Sequence, residues 1–494
     1  MKSLIYKLPL AALSIAAAIA AYLYLPQVPG WPVAAAFGAF SLYVGLLPAH
    51  TSQPKRYVVR LKGLRWTRED FCRGWLITGD TGSGKTRSGI TPLLFQVFSN
   101  EATWGGVCID DKGLYWETLS EMARYFGRER DLILLQVRPE GARSDWKPSR
   151  TFNLTYDRGI PAMTYAKFVV DTAGALGQRD DKGFFRNQAQ THIAMGLEML
   201  YEIQAAVTLD NVFRLLLDER DMDEALDDIA GLYPTEKRQA LADHFRYRYR
   251  GQPPEQLGGV RETIANYLQP FQTPDIAEVF CAEENSFDFS DIDRGKIVCV
   301  AMPQKFQMER RFVNTFLKML FYTHVLRRFD KPKEDRRDDN LLILWADEAQ
   351  RFMTASEDGM SDYNSVDVIR EAKATVVAAA QSTTSFIPPL GREKAQVLCL
   401  NLRNRLIFKA ADEDGALESA DFIGKKKIIR KSWGFSAGHA SRNYQHEDEH
   451  RLKPHELRNL PKHTCILTHC EGRLKRSLIP PIEPDGTVCK WFRP

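Results

Sequence analysis

The sequence predicts an α/β fold: a central, mostly parallel sheet covered by helices, split by an all-helical insertion and preceded by a transmembrane helical hairpin. Three observations predict it. Short apolar, β-branched runs alternate with helical patterns over residues 70–158 and again from 285 onward, the rhythm of a helix-covered parallel sheet. Between about Ile160 and Phe280 the strand-like runs vanish and helical patterns take over. At the N-terminus, Leu8 to Leu25 and Trp31 to His50 contain no charged residue.

Each of those two stretches is near the length that crosses a bilayer as a helix, with Pro26-Gln27-Val28-Pro29-Gly30 as a turn between them. Lys2 and Lys7 precede the first, and Lys55, Arg56, Arg60 and Lys62 follow the second. Positive charge on both flanks predicts a multi-pass protein of the bacterial inner membrane with the rest of the chain in the cytoplasm. A cleaved signal peptide is the rival for the Ala-rich residues 11–21, but a second apolar span follows at once. Eight cysteines without a C-x-x-C pair read as reduced thiols, which excludes a disulfide scaffold. With 67 basic and 63 acidic residues, net charge neither requires nor excludes a nucleic-acid partner.

Gly74 to Thr78 is a short apolar run, a strand feeding residues 79–86. Those read Gly79-Asp80-Thr81-Gly82-Ser83-Gly84-Lys85-Thr86, a complete G-x-x-x-x-G-K-[ST] loop. In such a loop backbone N–H groups close round a phosphate, Lys85 reaches the β/γ oxygens and the Thr86 hydroxyl holds Mg²⁺. Thr86 to Phe98 is the helix behind it, its dipole facing the phosphates. The loop predicts ATP and Mg²⁺ as cofactors and a RecA-like P-loop nucleotide-binding domain. Further strands are expected at Gly106–Asp110 and Leu132–Val137, separated by a helix around Tyr115–Phe126, and at Lys296–Ala301, Leu341–Ala346, Thr375–Ala380 and Arg405–Lys409. Arg327–Asp339 reads as a solvated loop. The division is thus 1–50 anchor, 51–158 first part of the ATPase domain, 159–284 helical insertion and 285–494 second part.

The apolar run ending in Trp345-Ala346-Asp347-Glu348 supplies the other half of the site. Asp347 is placed to bind Mg²⁺ and Glu348 to polarise an attacking water, which predicts hydrolysis. Gln381, at the end of the next strand, is a γ-phosphate sensor or a capping amide. Arg370 is a surface arginine or a finger that completes a neighbouring subunit's site. Weaker signals remain. Phe245-Arg246-Tyr247-Arg248-Tyr249-Arg250 suits base stacking or a helix with a snorkelling basic face. Lys425-Lys426-Lys427 with Arg430 and Lys431 suits phosphate contacts in a channel, or a solvated loop. His463, Cys465, His469 and Cys470 lie close together but match no usual zinc spacing.

Taken in order, these segments resemble the type IV secretion coupling proteins, the P-loop ATPases of conjugative DNA transfer. Cys108-Ile109-Asp110-Asp111-Lys112-Gly113 is similar to their strand-D-x-K-G segment, and Phe152-Asn153-Leu154 sits where an Asn-Pro-Leu-like segment precedes the helical insertion. Phe287 to Lys296 resembles the stretch returning to the sheet, Arg370 and Gln381 keep the family spacing, and Leu452 to Pro461 resembles a terminal P-x-E-L-x-x-L-P segment. The resemblance implies a homo-hexameric ring. It also implies partners: a relaxase bound to single-stranded DNA, some protein substrates, the secretion channel components and the membrane. Rival readings are a double-stranded DNA pump of the chromosome-segregation type and a membrane-tethered receptor for a secreted protein.

Overall fold

Runs of consecutive buried residues build the centre of the molecule, because a strand covered on both faces has no solvent side to alternate with. The structure, a computed structural model, describes residues 56–177, 183–356, 359–436 and 439–482; at 432–436 and 439–443 it describes the backbone alone. The strands are β1 (Tyr57–Leu61), β2 (Leu64–Thr67), β3 (Trp75–Thr78), β4 (Gly105–Asp110), β5 (Leu132–Gln136), β6 (Ile297–Ala301) and β7 (Leu342–Asp347). They continue with β8 (Ala374–Ala380), β9 (Asn404–Ile407), β10 (Lys425–Ser436), β11 (His439–His450), β12 (Thr464–Thr468) and β13 (Leu474–Leu478). Nine form one sheet in the order β13-β12-β9-β3-β8-β7-β4-β6-β5. From β9 to β5 every pairing is parallel, while β12 joins β9 and β13 joins β12 antiparallel. β8 therefore lies between β3, which feeds the glycine-rich loop, and β7, which ends in Asp347.

The expected strands are present with ends shifted by a residue or two, and the helix behind the loop opens with one wide turn, Lys85–Ile90, before Thr91–Asn100. Between β5 and β6 the described residues form helices and no strand, from Ala162–Ala175 to Pro274–Phe280. Local chemistry explains them. In Leu209–Leu217 the buried residues Leu209, Val212, Leu215 and Leu216 form one stripe, and the Thr208 side chain caps the start by accepting from Asn211 N–H. In Glu219–Gly231 the stripe is Met222, Ala225, Leu226 and Ile229. These apolar stripes are continuous with one face of the sheet, whose Val107, Ile109, Leu342 and Leu344 share their core. The opposite face, carrying Trp75, Ile77, Cys108, Ile343 and Trp345, packs on the helix Thr91–Asn100 and on β1 and β2.

A buried polar network ties the helix Gln307–Arg327 to the segment after β7. The fully buried Lys318 ammonium donates to Asp362, to Phe352 O (2.5 Å) and to Thr354 Oγ1 (3.2 Å). Tyr322 Oη donates to the other Asp362 oxygen at 2.6 Å, and Thr354 N–H donates to Asp362 Oδ2 at 2.8 Å. Burial pushes the Lys318 pKa down, and Asp362 opposes that shift.

Three expectations are corrected, and a reading left open is narrowed. Arg327–Asp339 is not simply solvated: Arg328 is buried and donates to Asn340 O (3.0 Å), Ala372 O (2.8 Å) and Asp293, pinning the entries to β7 and β8. The aromatic–arginine run 245–250 takes the helical alternative, a turn with Arg246, Tyr247 and Arg248 exposed. Phe245 and Tyr249 are buried beside the His192–His244 pair, and Arg250 is held by Glu219 (2.7 Å) and Asp223 (2.6 Å). Lys425–Lys431 is a strand rather than a loop. Finally, the placement as a multi-pass inner-membrane protein is overturned: among the described residues no helix is long and apolar enough to cross a membrane. The longest, Gln307–Arg327, carries Glu309, Arg310, Arg311 and Lys318, and charge of that density is incompatible with a span. The predicted hairpin at 1–50 lies outside the described residues.

Candidate nucleotide site

Three strand ends converge. The parallel sheet brings the C-terminal ends of β3, β8 and β7 to one edge, the edge where open α/β sheets bind ligands. The loop from Gly79 to Thr86 is held open by its own backbone. Gly79 N–H donates to Gln381 O (3.1 Å), Asp80 N–H to Lys409 O (2.7 Å), and Ser83 N–H to Asp80 O (3.1 Å). Thr81 N–H donates to Asp80 Oδ1 at 2.7 Å. Two glycines are required by space. A Cβ at Gly79 would lie 2.6 Å from Phe408 Cβ, and one at Gly84, where φ is +108°, would lie 2.7 Å from His463 Nδ1.

Lys85 is buried and donates to Gly79 O at 2.7 Å, so its ammonium is aimed across the mouth of the loop. Desolvation lowers its pKa, and Glu348 and Asp347 oppose that shift. Thr86 Oγ1 lies 3.4 Å from Asp347 Oδ2, which brings a hydroxyl and a carboxylate from opposite halves of the sequence to one point. Burial, then the neighbouring Glu348 charge, pushes the Asp347 carboxyl up to about 6. Glu348 turns away from the strand in a left-handed conformation, φ +52°, its backbone N–H donating to Asp347 Oδ1 (2.9 Å) and its Oε2 accepting from Gln350 (2.8 Å). That backbone is strained for a residue with a side chain, and it aims the carboxylate into the cleft.

The cleft holds about 530 Å³ and is lined by the loop with Asp111, Lys112, Glu348, Arg351, Gln381 and His463. Of the sequence-predicted residues, the loop, Asp347, Glu348 and Gln381 meet here. Arg370 does not. It is exposed, four residues before β8, whose far end pairs with Thr78 beside the loop. A seven-residue strand separates them, about 20 Å at ~3.3 Å per residue.

Two sets of residues named in the sequence without a place in this cleft also meet here or beside it. Asp110 ends β4 beside Asp347, paired to it across the ladder, and Asp111 follows it. Asp110 accepts from Leu114 and Tyr115 N–H (3.0 and 3.3 Å), while Asp111 is gripped bidentately by Arg311 (2.5 and 3.0 Å), and Lys112 lines the cleft beside it. The other set is Lys462 and His463, which return over the loop: His463 N–H donates to Ser83 O (2.9 Å) and its Nδ1 lies 2.8 Å from Ser88 Oγ. The metal reading of the His/Cys group dissolves with this. His463 belongs to the nucleotide cleft and Cys465 to the core of β12. His469 Nε2 donates to Arg65 O (3.0 Å) and its Nδ1 accepts from Glu471 N–H (3.1 Å), so neither nitrogen next to Asp70 and Cys470 is open to an ion.

Comparison with known proteins decides the family. A family model described as the type IV secretion-system coupling protein DNA-binding domain matches residues 61–475. The chain belongs to the type IV secretion coupling-protein family. No curated protein sequence matches it. Among solved structures, it is similar to the bacterial conjugative coupling protein TrwBdeltaN70 in its unbound monoclinic form, with TM-score 0.63 and 16% identity over 88% of this chain and 91% of that one. It is also similar to the plasmid coupling protein TrwB in complex with the non-hydrolysable ATP analogue ADPNP (TM-score 0.60, 16% identity, 87% and 90% covered). A third likeness is to TrwB in complex with ADP and Mg²⁺ (TM-score 0.57, 15% identity, 87% and 90%). At these identities the likeness is one of fold, and it covers the large, mostly parallel sheet of the coupling proteins.

Proposed function

We propose that this coupling-protein family member is an ATPase that drives relaxase-bound single-stranded DNA into a type IV secretion channel. The observation that carries the ATPase reading is the meeting of Thr86 Oγ1 and Asp347 Oδ2 at 3.4 Å beneath the loop, with Glu348 facing the same cleft. A hydroxyl and a carboxylate are hard oxygen donors that fit Mg²⁺, and a carboxyl held near 6 by burial and like charge is the group a cation relieves. Bound there, the ion supplies charge neutralisation for the β/γ-phosphates. Lys85 exchanges its loop carbonyl for the phosphate oxygens, Glu348 orients and takes a proton from the attacking water, and the Gln381 amide registers the γ-phosphate. Arg370, too distant to serve its own site, acts on that of an adjacent copy in a hexamer. In the same reading 159–284 works as a helical domain inserted between two halves of the ATPase, 51–158 and 285–494.

Hydrolysis by the purified chain, with and without single-stranded DNA, tests this. Lys85→Ala and Glu348→Gln each lower the DNA-stimulated rate by about 100-fold or more. Normal hydrolysis in either variant overturns the site assignment. A wild-type rate indifferent to DNA, with binding to a secreted protein retained, favours the receptor reading instead.

A further inference from the structure

The lysine-rich run after the helix Glu413–Ile423 forms a free-standing ribbon. β10 and β11 have 12 residues each and pair in continuous register from Lys425 opposite His450 to Ser436 opposite His439, and among the described residues no other strand joins them. At ~3.3 Å per residue the ribbon is about 40 Å long. Residues directly opposite in an antiparallel pair share a face, which sorts its charges. One face sets Lys426 opposite Glu449 and Arg430 opposite Gln445; Lys426 pairs with Glu449 at 4.0 Å and Arg430 reaches diagonally to Glu447 at 2.6 Å, so its charges cancel.

The other face differs in kind. It sets Lys427, Ile429 and Lys431 opposite Asp448, His446 and Tyr444. Asp448 is its only carboxylate among the described residues, and neither lysine has an ion pair there. Lys431 Nζ lies 5.8 Å from the centre of the Tyr444 ring, and Ile429 and Tyr444 are 57% and 53% exposed. The backbone register carries the row on to Trp433 opposite Arg442. A two-stranded ribbon is marginal alone in water, and cations interleaved with an exposed ring are the composition that holds single-stranded nucleic acid, phosphates on the ammonium groups and bases on the ring.

The base of the ribbon is fastened toward the nucleotide site. Asp421 holds His450 (2.8 Å) and Lys425 (3.8 Å). The helix carrying Asp421 is in turn tied to the residues after Gln381: Thr383 Oγ1 donates to Glu418 (2.5 Å), Thr384 Oγ1 to Asp412 (3.4 Å), and a Cβ at Gly415 would overlap Ser382 Oγ.

We propose that the Lys427–Ile429–Lys431–Tyr444 face of the β10–β11 ribbon is a single-stranded DNA contact, Lys427 and Lys431 on phosphates and Tyr444 stacked on a base. The inference rests on the reading of the chain as a DNA-transfer ATPase and gives that reading a contact surface. The test measures binding of the full chain to a labelled oligothymidylate of about 30 nucleotides across a salt series, with assembly mass and ATP binding measured in parallel. Lys427→Ala/Lys431→Ala is expected to weaken binding about tenfold and to reduce the salt slope by about 1.4, two phosphate contacts at ~0.7 each. Tyr444→Ala is expected to weaken it about tenfold with the slope unchanged. Gln445→Ala, on the neutralised face, binds as wild type, and ATP binding is intact in all three. Unchanged affinity and slope in the double variant overturn the proposal. So does a loss of assembly mass with per-chain affinity unchanged, which makes the ribbon an arm between copies. Absence of oligonucleotide binding by the wild type overturns the DNA-transfer reading itself.

Discussion

Asp347 is where the chemistry of the site meets the stability of the fold. Its carboxyl is raised from 3.8 to about 6, so burial and the neighbouring Glu348 charge extend its neutral form to higher pH than in the unfolded chain. The stability due to that neutral form is fully present below pH 3.8 and is lost as pH rises through about 6. Above pH 6 the ionised group costs about 1–3 kcal/mol, a shift of roughly two units at 1.36 kcal/mol each. Asp347→Asn is therefore expected to be more stable than wild type by about that amount at pH 8 in the absence of Mg²⁺ and nucleotide, with the gap closing by pH 4. Urea unfolding at the two pH values checks this; an equal gap at both would remove the electrostatic explanation. Glu348 shows a second tension, since its left-handed backbone is a strained choice for any residue but glycine or asparagine. Both residues trade stability for placement, as a site built to receive a cation and a water must.

At the scale of elements, the segment from Ala349 to Ser365 joins the acidic pair to the stretch bearing Arg370, and the Lys318–Asp362 network holds it against the helix Gln307–Arg327. Removing one partner strands a buried charge. Asp362→Ala is expected to destabilise the protein by about 3–5 kcal/mol in denaturant unfolding, while a paired Lys318→Met/Asp362→Leu replacement loses much less. Equal losses would mean the pair itself, rather than the orphaned charge, supplies the stability. The elements around this segment differ in how far the sequence reveals them. β4, β6, β7 and β8 are legible because strands buried on both faces leave unbroken apolar runs. β10 and β11 are not, because the described side chains on both faces are exposed or half-buried and their cross-strand ion pairs leave no hydrophobic period to read. Nothing local in the sequence marks Lys318, Arg310 and Arg328 as buried, because acceptors that satisfy them come from distant segments.

For the molecule as a whole, the proximity of the loop, Asp347 and Glu348 is legible from residue order alone, because the loop and the acidic strand each carry a self-contained pattern. The position of His463 is not: it reaches the loop only because β12 adds antiparallel to β9 and delivers residues 462–463 over Gly84. The distance between Arg370 and Gln381 is another property of the assembled sheet that spacing in sequence conceals. The proposed action of Arg370 on an adjacent copy divides the labour between copies: on that reading a chain altered to Arg370→Ala would keep a sound site of its own and spoil one belonging to its neighbour. Mixed with Lys85→Ala chains, which have a dead site and a good arginine, it should restore about a quarter of wild-type hydrolysis if the two assort at random and sites act independently. Two inactive preparations would then become active on mixing, and a mixture that stays silent would return Arg370 to the surface. In a cell expressing both forms, the defect would be inherited by position in the ring rather than by the chain that carries it.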